Sequence, residues 1–371
     1  MRSHMLEEIT EGSTVCLVPP YPNTKGPGSS KMTVFYNPNM EFARDITVGV
    51  LSAILDKRRK LKILDGMAAT GIRGIRIKKE VSNRFELVLN DVNPNAIKLI
   101  KKNLDLNNIQ ARIEQKNLNE LLASEVFDYI DIDPFGSAVE FLDMGFQAIK
   151  RNGILGITTT DTSALCGAAP KVCIRRYLAH AENNYMCHEI GLRIFVGYVA
   201  RCAAKFDRAI KPILCFSADH YFRIFVRVEN GAKKADNTLS YLGYGKYNRQ
   251  TGEIRTLMNY EHGAFGPLWL GTLFDVDALS RIEIRENFNT KKRLSKYLEI
   301  WKEEANVEAL FYDTNELGKV FHCSPPPLER VLSSIRMLGY YAVHTHISPN
   351  GFKTNAPVQH IKSVYEMLNM K

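Results

Sequence analysis

The sequence predicts an α/β fold, built on a parallel, doubly wound sheet that closes with an antiparallel hairpin. Strand-like and helix-like segments alternate five times through residue 161. Residues 211–218 and 221–229 are both strand-like, and only Asp219-His220 separates them, which forces an antiparallel pair. A chain of 371 residues, 45% of them hydrophobic, can bury a full core and suggests two domains.

Met1-Arg-Ser-His precedes a second Met and reads as an expression scar, residues 1–4. Residues 6–30 form a polar lead-in whose Pro/Gly/Ser-rich end cannot hold a helix. Helical spacing of Phe42, Ile46, Val50, Leu51 and Ile54 then predicts a helix over 40–55. Residues 61–65 make a short apolar strand, and Gly66-Met-Ala-Ala-Thr-Gly71 is a small-residue loop before helical spacing at Ile72, Ile75 and Ile77. Glycines there let the backbone approach a ligand closely. Neither a phosphate-binding Gly-Lys-Ser/Thr nor G-x-G-x-x-G is matched. The second strand, 85–91, ends in Asp91, placed to accept ribose hydroxyls. Asn93 or Asn95 caps the next helix, with Pro94 in its first turn. A third strand at 111–115 leads to Asn117 and Leu118, where an adenine edge would lie, and 153–161 reads as a fifth.

The fourth strand carries the chemistry. Tyr129-Ile-Asp-Ile-Asp-Pro-Phe-Gly136 alternates until Pro134 stops it, which marks the carboxyl edge of a strand. Open α/β sheets bind ligands just outside that edge. Asp133, Pro134 and Phe135 therefore put a carboxylate, a rigid ring and an aromatic face where a flat base with an exocyclic amine can sit. Asp131 competes, because residues two apart in a strand share a face; Asp133 is preferred for its place at the strand end.

A parallel sheet closing with an antiparallel hairpin is the Rossmann-like arrangement of S-adenosylmethionine-dependent methyltransferases. The chain further resembles the tRNA (guanine-26-N2)-dimethyltransferase family, of archaeal type. The supporting runs are Val34-Phe-Tyr-Asn-Pro38, Asn39-Met-Glu-Phe-Ala-Arg-Asp45, Ala69-Thr-Gly-Ile-Arg-Gly-Ile-Arg76, Asn90-Asp91 and Asp131-Ile-Asp-Pro-Phe-Gly-Ser137. Leu165-Cys-Gly167, Gly266-Pro-Leu-Trp-Leu-Gly271, Phe311-Tyr-Asp-Thr314 and residues 345–357 continue the match. The resemblance implies donor contacts at Arg44, Arg73, Asp91 and the Asn117-Leu118 position, beside the loop of Gly66 and Gly71. The family often has Asp-Ala where Asn117-Leu118 stands. It also implies that Asp133 is catalytic and that Phe35 and Phe135 hold the target base. Some relatives carry a zinc-binding cysteine set in the C-terminal half; residues 241–250 contain no Cys, so no metal is expected.

Two domains are expected: a catalytic one over 5–229, and a smaller α+β one over 230–371 after a composition shift at Asn230-Gly-Ala-Lys-Lys. Near its end, helices at 316–320 and 327–338 and strands at 341–347 and from 352 follow a winged-helix order. With Lys291, Lys292, Arg293, Arg330, Arg336 and Lys353, this domain is expected to grip tRNA phosphates. Zinc is the weaker reading of His344 and His346, and RNA contact or packing the stronger. The 49 basic against 40 acidic residues, net +9, suit a polyanionic partner without proving one. Arg193, Arg201, Lys205 and Arg208 read as a solvated helix face. Cys166 reads as a small packed thiol, since an amine acceptor needs no covalent adduct. Seven cysteines without C-x-x-C fit a reducing cytoplasm, and no apolar run suits a membrane span. The rival enzyme reading is a methyltransferase acting on another nucleobase or an amide nitrogen. A further rival is a donor- and RNA-binding protein without catalysis.

Overall fold

In chain order the elements of the computed structural model begin with strands β1 (Glu7–Glu11) and β2 (Thr14–Val18) and helix α1 (Glu41–Ile54). The structure describes residues 6–21 and 32–370. Next come β3 (Lys62–Asp65), α2 (Ile72–Arg76), β4 (Glu86–Asn90), α3 (Pro94–Leu106), β5 (Arg112–Glu114), α4 (Leu118–Ser124), β6 (Phe127–Ile132), α5 (Val139–Ala148) and β7 (Ile149–Thr159). After α6 (Thr162–Leu165), α7 (Pro170–Tyr177) and α8 (Cys187–Ala204), β8 (Arg208–Ala218) and β9 (Tyr221–Asn230) complete the large sheet.

That sheet has seven strands in the order β5-β4-β3-β6-β7-β9-β8. The first five run parallel, while β9 lies antiparallel between β7 and β8. The α/β class and the antiparallel closing hairpin are therefore as the sequence predicts. Strands buried on both faces read as continuous apolar runs; Ile63, Leu64, Leu87, Val88, Leu89, Ile130 and Ile132 are all at most 2% exposed. The chain order reverses between β3 and β6, which opens a crevice at their carboxyl ends. Asn93 caps α3 by accepting the Asn95 N–H at 2.9 Å, with Pro94 in the first turn.

Three expectations need correction. The lead-in is partly ordered: β1 and β2 pair as an antiparallel hairpin. Buried Thr14, Cys16 and Val18 alternate with half-exposed Val15 and Leu17, a period-two signal that the charged β1 obscures. The part of the predicted arm at residues 22–30, and the scar, lie outside the described residues. Arg193 is not solvated. It is 2% exposed, pairs with Glu189 one turn away at 2.8 Å, and donates to the Trp269 and Gly271 carbonyls at 2.8 and 3.0 Å. Lys353 is 3% exposed and cannot reach a phosphate.

The remaining chain forms α9 (Ala232–Leu239), β10 (Leu242–Tyr247), β11 (Ile254–Leu257), β12 (Phe265–Trp269), α10 (Val276–Ser280) and α11 (Lys291–Glu304). It ends with β13 (Tyr312–Asp313), α12 (Thr314–Phe321), α13 (Leu328–Met337), β14 (Ala342–His344), β15 (Gly351–Thr354) and α14 (Val358–Asn369). The apolar core around the large sheet continues through Trp301 to Phe311, and a second core gathers Tyr312, Leu317, Val331, Ile335, Phe352 and Tyr365.

Buried charges join the two. Lys353 on β15 pairs with Glu189 on α8 at 2.7 Å and with Glu304 on α11 at 3.4 Å. Glu304 also accepts from the Thr345 hydroxyl at 2.7 Å and from the His346 N–H at 3.0 Å, and its carboxylate meets the His346 ring at 2.5 Å. His346 is thereby packed. Burial alone would raise the Glu304 carboxyl, but His346 and Lys353 outweigh it and hold the group at about 2. A depressed acid stabilises the fold fully above its unfolded value of 4.5, and that contribution, about 3 kcal/mol, is lost as pH falls toward 2. Thermal melts of wild type should therefore drop more steeply below pH 4.5 than those of Glu304→Gln. Parallel curves would contradict this.

Candidate active site

A cavity of about 410 Å³ opens at the carboxyl ends of β3, β4, β5 and β6, within the range of small-molecule sites. Each strand delivers its next residues to the wall: Gly66 and Met67 after β3, Asp91 after β4, Lys116 and Asn117 after β5, Asp133 and Pro134 after β6.

Gly66 is required by space. A Cβ there would lie 2.8 Å from the Asp131 carbonyl and 2.9 Å from Leu118, so any larger residue would push the floor into the cavity. Asn90 ties the two loops together, donating to the Gly66 and Lys116 carbonyls at 2.9 and 3.2 Å. Asp91 accepts the Ala69 and Asn93 N–H groups at 2.8 Å each, one on each carboxylate oxygen. These bonds fix its plane, and each oxygen keeps a lone pair for a ligand hydroxyl. Burial pushes its carboxyl above the ordinary carboxylate value, and the two N–H groups pull it back. Asn117 accepts the Asn119 N–H at 2.9 Å and so caps α4, which starts with buried Leu118 on the cavity wall.

The two aspartates of the fourth strand have separate surroundings. Asp131 lies within β6, in register with Asp65 on β3 and Gly156 on β7, and is fully buried. Arg223 on β9 reaches it with two nitrogens, at 3.0 and 2.5 Å, and the Tyr129 hydroxyl donates to it as well. Arg73 approaches to 3.5 Å. Burial would raise the Asp131 carboxyl, but Arg223 and Arg73 outweigh it and hold the carboxyl below its ordinary value. Asp65 beside it is pushed up to about 7 by burial and by the Asp131 charge.

Asp133 lies one residue beyond β6, with 22% of its side chain exposed, and lines the cavity. Among the described residues the Arg73 guanidinium is its one side-chain partner, through Oδ2. The loop that follows is pinned to the tip of β7: Gly136 donates to the Thr160 hydroxyl at 2.8 Å and accepts the Thr160 N–H at 2.9 Å. Phe135 is 59% exposed, an uncommon state for a large aromatic. Phe35, 100 residues earlier, packs edge-on against it with ring centroids 4.7 Å apart, and both rings line the cavity.

Residues 12–366 match the family described as N2,N2-dimethylguanosine tRNA methyltransferase. The chain belongs to this family. It is 40% identical to the tRNA (guanine(26)-N(2))-dimethyltransferase of Pyrococcus abyssi, over 95% of this chain and 97% of the relative. The enzyme of that name from Methanocaldococcus jannaschii is 37% identical, over 98% and 100%. Among solved structures, Trm1 from Pyrococcus horikoshii in complex with S-adenosyl-L-methionine superposes with a TM-score of 0.88 at 37% identity, covering 97% of this chain and 99% of that one.

Of the residues that the family resemblance and the strand reading single out, Gly66, Asp91, Asn117, Leu118, Asp133, Pro134, Phe135 and Phe35 share one cavity. Arg73 stands behind Asp133. Gly71, at φ +80°, caps α2 away from the wall. Arg44 is buried behind the wall, where Glu11 of the hairpin binds it at 2.7 and 2.5 Å and it donates to the Asn37 carbonyl at 3.2 Å. Sequence reasoning missed Asn37, Met40, Phe141 and Thr160 on the lining. Only Thr160 carried a signal, its place at the end of a predicted strand.

A methyl donor of the nucleoside type fits this set. Gly66 leaves space a side chain would fill, Asp91 offers a fixed carboxylate, and Met67, Leu118 and Phe141 give apolar wall.

Proposed function

We propose that this chain transfers methyl groups from S-adenosylmethionine to the exocyclic N2 of guanine 26 in tRNA, giving N2-methyl- and N2,N2-dimethylguanosine. One observation carries the site-level reading: Asp91, Asp133 and the Phe35–Phe135 pair face a single cavity at the sheet's switch point. S-adenosylmethionine, when bound, supplies an electrophilic sulfonium methyl. Asp91 takes the ribose hydroxyls, while Gly66, Asn117 and Leu118 border the nucleoside.

The lone pair of guanine N2 is delocalised into the ring, so the enzyme must localise it and take up a proton. Asp133 accepts an N2–H bond and drains positive charge from nitrogen as the N–C bond forms. Arg73 holds one carboxylate oxygen, which orients the other toward the cavity. Pro134 stiffens the loop, and the Phe35 and Phe135 rings clasp the base. Positioning the amine in line with the methyl supplies much of the rate without a covalent intermediate.

Residues 5–229 act as the catalytic unit and 230–371 as the tRNA grip, where exposed Lys292 and Arg330 meet phosphates. No helix among the described residues is long and apolar enough to cross a membrane; the cytoplasm is the proposed location.

The test is to incubate the protein with labelled donor and an unmodified tRNA transcript, digest the RNA and identify the labelled nucleoside. N2-methylated guanosines are expected; label in any other nucleoside overturns the reading. Stacking a base on an aromatic ring contributes roughly 1–3 kcal/mol. Phe35→Ala and Phe135→Ala should each lower kcat/KM for tRNA about ten- to a hundredfold with donor Kd unchanged. Unaltered kcat/KM in both variants would remove the rings from base binding.

A further inference from the structure

We propose that Cys166, Cys187 and His188 form a site for a thiophilic divalent cation, zinc above all, outside the methyl-transfer cavity. The two Sγ atoms and a ring nitrogen of His188 lie within 4.8 Å of one another. Cys166 Sγ stands 3.6 Å from His188 Nδ1. Tetrahedral zinc with ordinary Zn–S and Zn–N bonds sets an S···N edge of about 3.6 Å, so this edge already has the required length. Closing the rest asks only for side-chain rotation at Cys187 and His188, both half-buried.

The backbone builds the cluster. Cys166 ends α6, and Gly167 follows at φ +81° with its Cβ position 2.7 Å from the Asn183 N. Gly191 on α8 would place a Cβ 2.9 Å from the Leu165 carbonyl. Both close contacts need glycine, and together they press the Cys166 turn onto the first turn of α8, which carries Cys187 and His188. Nothing in the spacing of Cys166 and Cys187 announces this.

Two thiols and an imidazole make a donor set that zinc favours. Binding releases the thiol protons; two thiolates neutralise the dication, and the exposed side leaves the fourth position to water. The cation would staple the turn that follows the cavity residue Thr160 to α8.

Reduced, chelator-treated full-length protein is titrated with Co2+, then with Zn2+. The expected result is one cobalt per chain with a thiolate-to-cobalt charge-transfer band and tetrahedral d–d absorption, displaced by zinc. Cys187→Ser and His188→Ala should each weaken uptake at least about tenfold, while Cys323→Ser on the C-terminal unit leaves it unchanged. Zinc should raise the melting temperature of wild type and not of Cys187→Ser. Absence of the charge-transfer band in wild type overturns the proposal, as does equal affinity in Cys187→Ser. Protein that takes up no cobalt but forms a Cys166–Cys187 disulfide on mild oxidation assigns the pair to redox chemistry and overturns it equally.

Discussion

Asp133→Ala lowers the rate of methyl transfer by about 10²–10⁴ while the donor Kd stays within a few-fold of wild type. The carboxylate is the polar group at the end of β6 that faces the cavity with an oxygen left free by Arg73. Alanine can neither accept an amine hydrogen nor offset charge on nitrogen in the transition state. Asp91 and Gly66, which border the donor side, do not hydrogen-bond Asp133, so donor affinity has no reason to change. Arg73 keeps its contact with Asp131, so the fold survives. Single-turnover transfer and equilibrium donor binding, measured on the same preparation, check this. Transfer at the wild-type rate would remove Asp133 from the mechanism.

Asp131→Asn has the opposite signature. It leaves Arg223 fully buried with its main counter-charge gone, and Arg73 weakened. Breaking one side of a buried ion pair costs about 3–5 kcal/mol, so the midpoint of urea unfolding should fall markedly. Arg223 also donates to the Thr158 hydroxyl at 2.9 Å, which leaves a partial framework and a folded protein at low temperature. There, residual activity per folded molecule should exceed that of Asp133→Ala. A variant with unchanged stability and no activity would exchange the roles assigned to the two carboxylates.

The parity of a strand puts both aspartates on one face, and that much is legible in the sequence. Which one is buried is decided by Arg223, 92 residues away and two strands across, and no local pattern contains that fact. The sheet itself was readable because its strands are short Val/Ile/Leu runs closed by Asp, Asn, Gly or Pro. The β1–β2 hairpin was not, because Glu7, Glu8 and Glu11 disguise a strand whose Glu11 serves as partner to buried Arg44. Arg193 misled for the same reason: a cation on a helix reads as solvated until carbonyls from residues 269 and 271 come to meet it. The pairing of Phe35 with Phe135 came from family resemblance, since ring contacts across 100 residues leave no periodic trace.

Methyl transfer to N2 of a single guanine, the proposed reaction, leaves a signature in the digested RNA. The most direct measurement compares two tRNA transcripts that differ only in carrying G or A at position 26, each incubated with labelled S-adenosylmethionine and digested to nucleosides. Label is expected in N2-methyl- and N2,N2-dimethylguanosine from the first transcript and none from the second. Equal labelling of both, or label in a nucleoside other than guanosine, would contradict it.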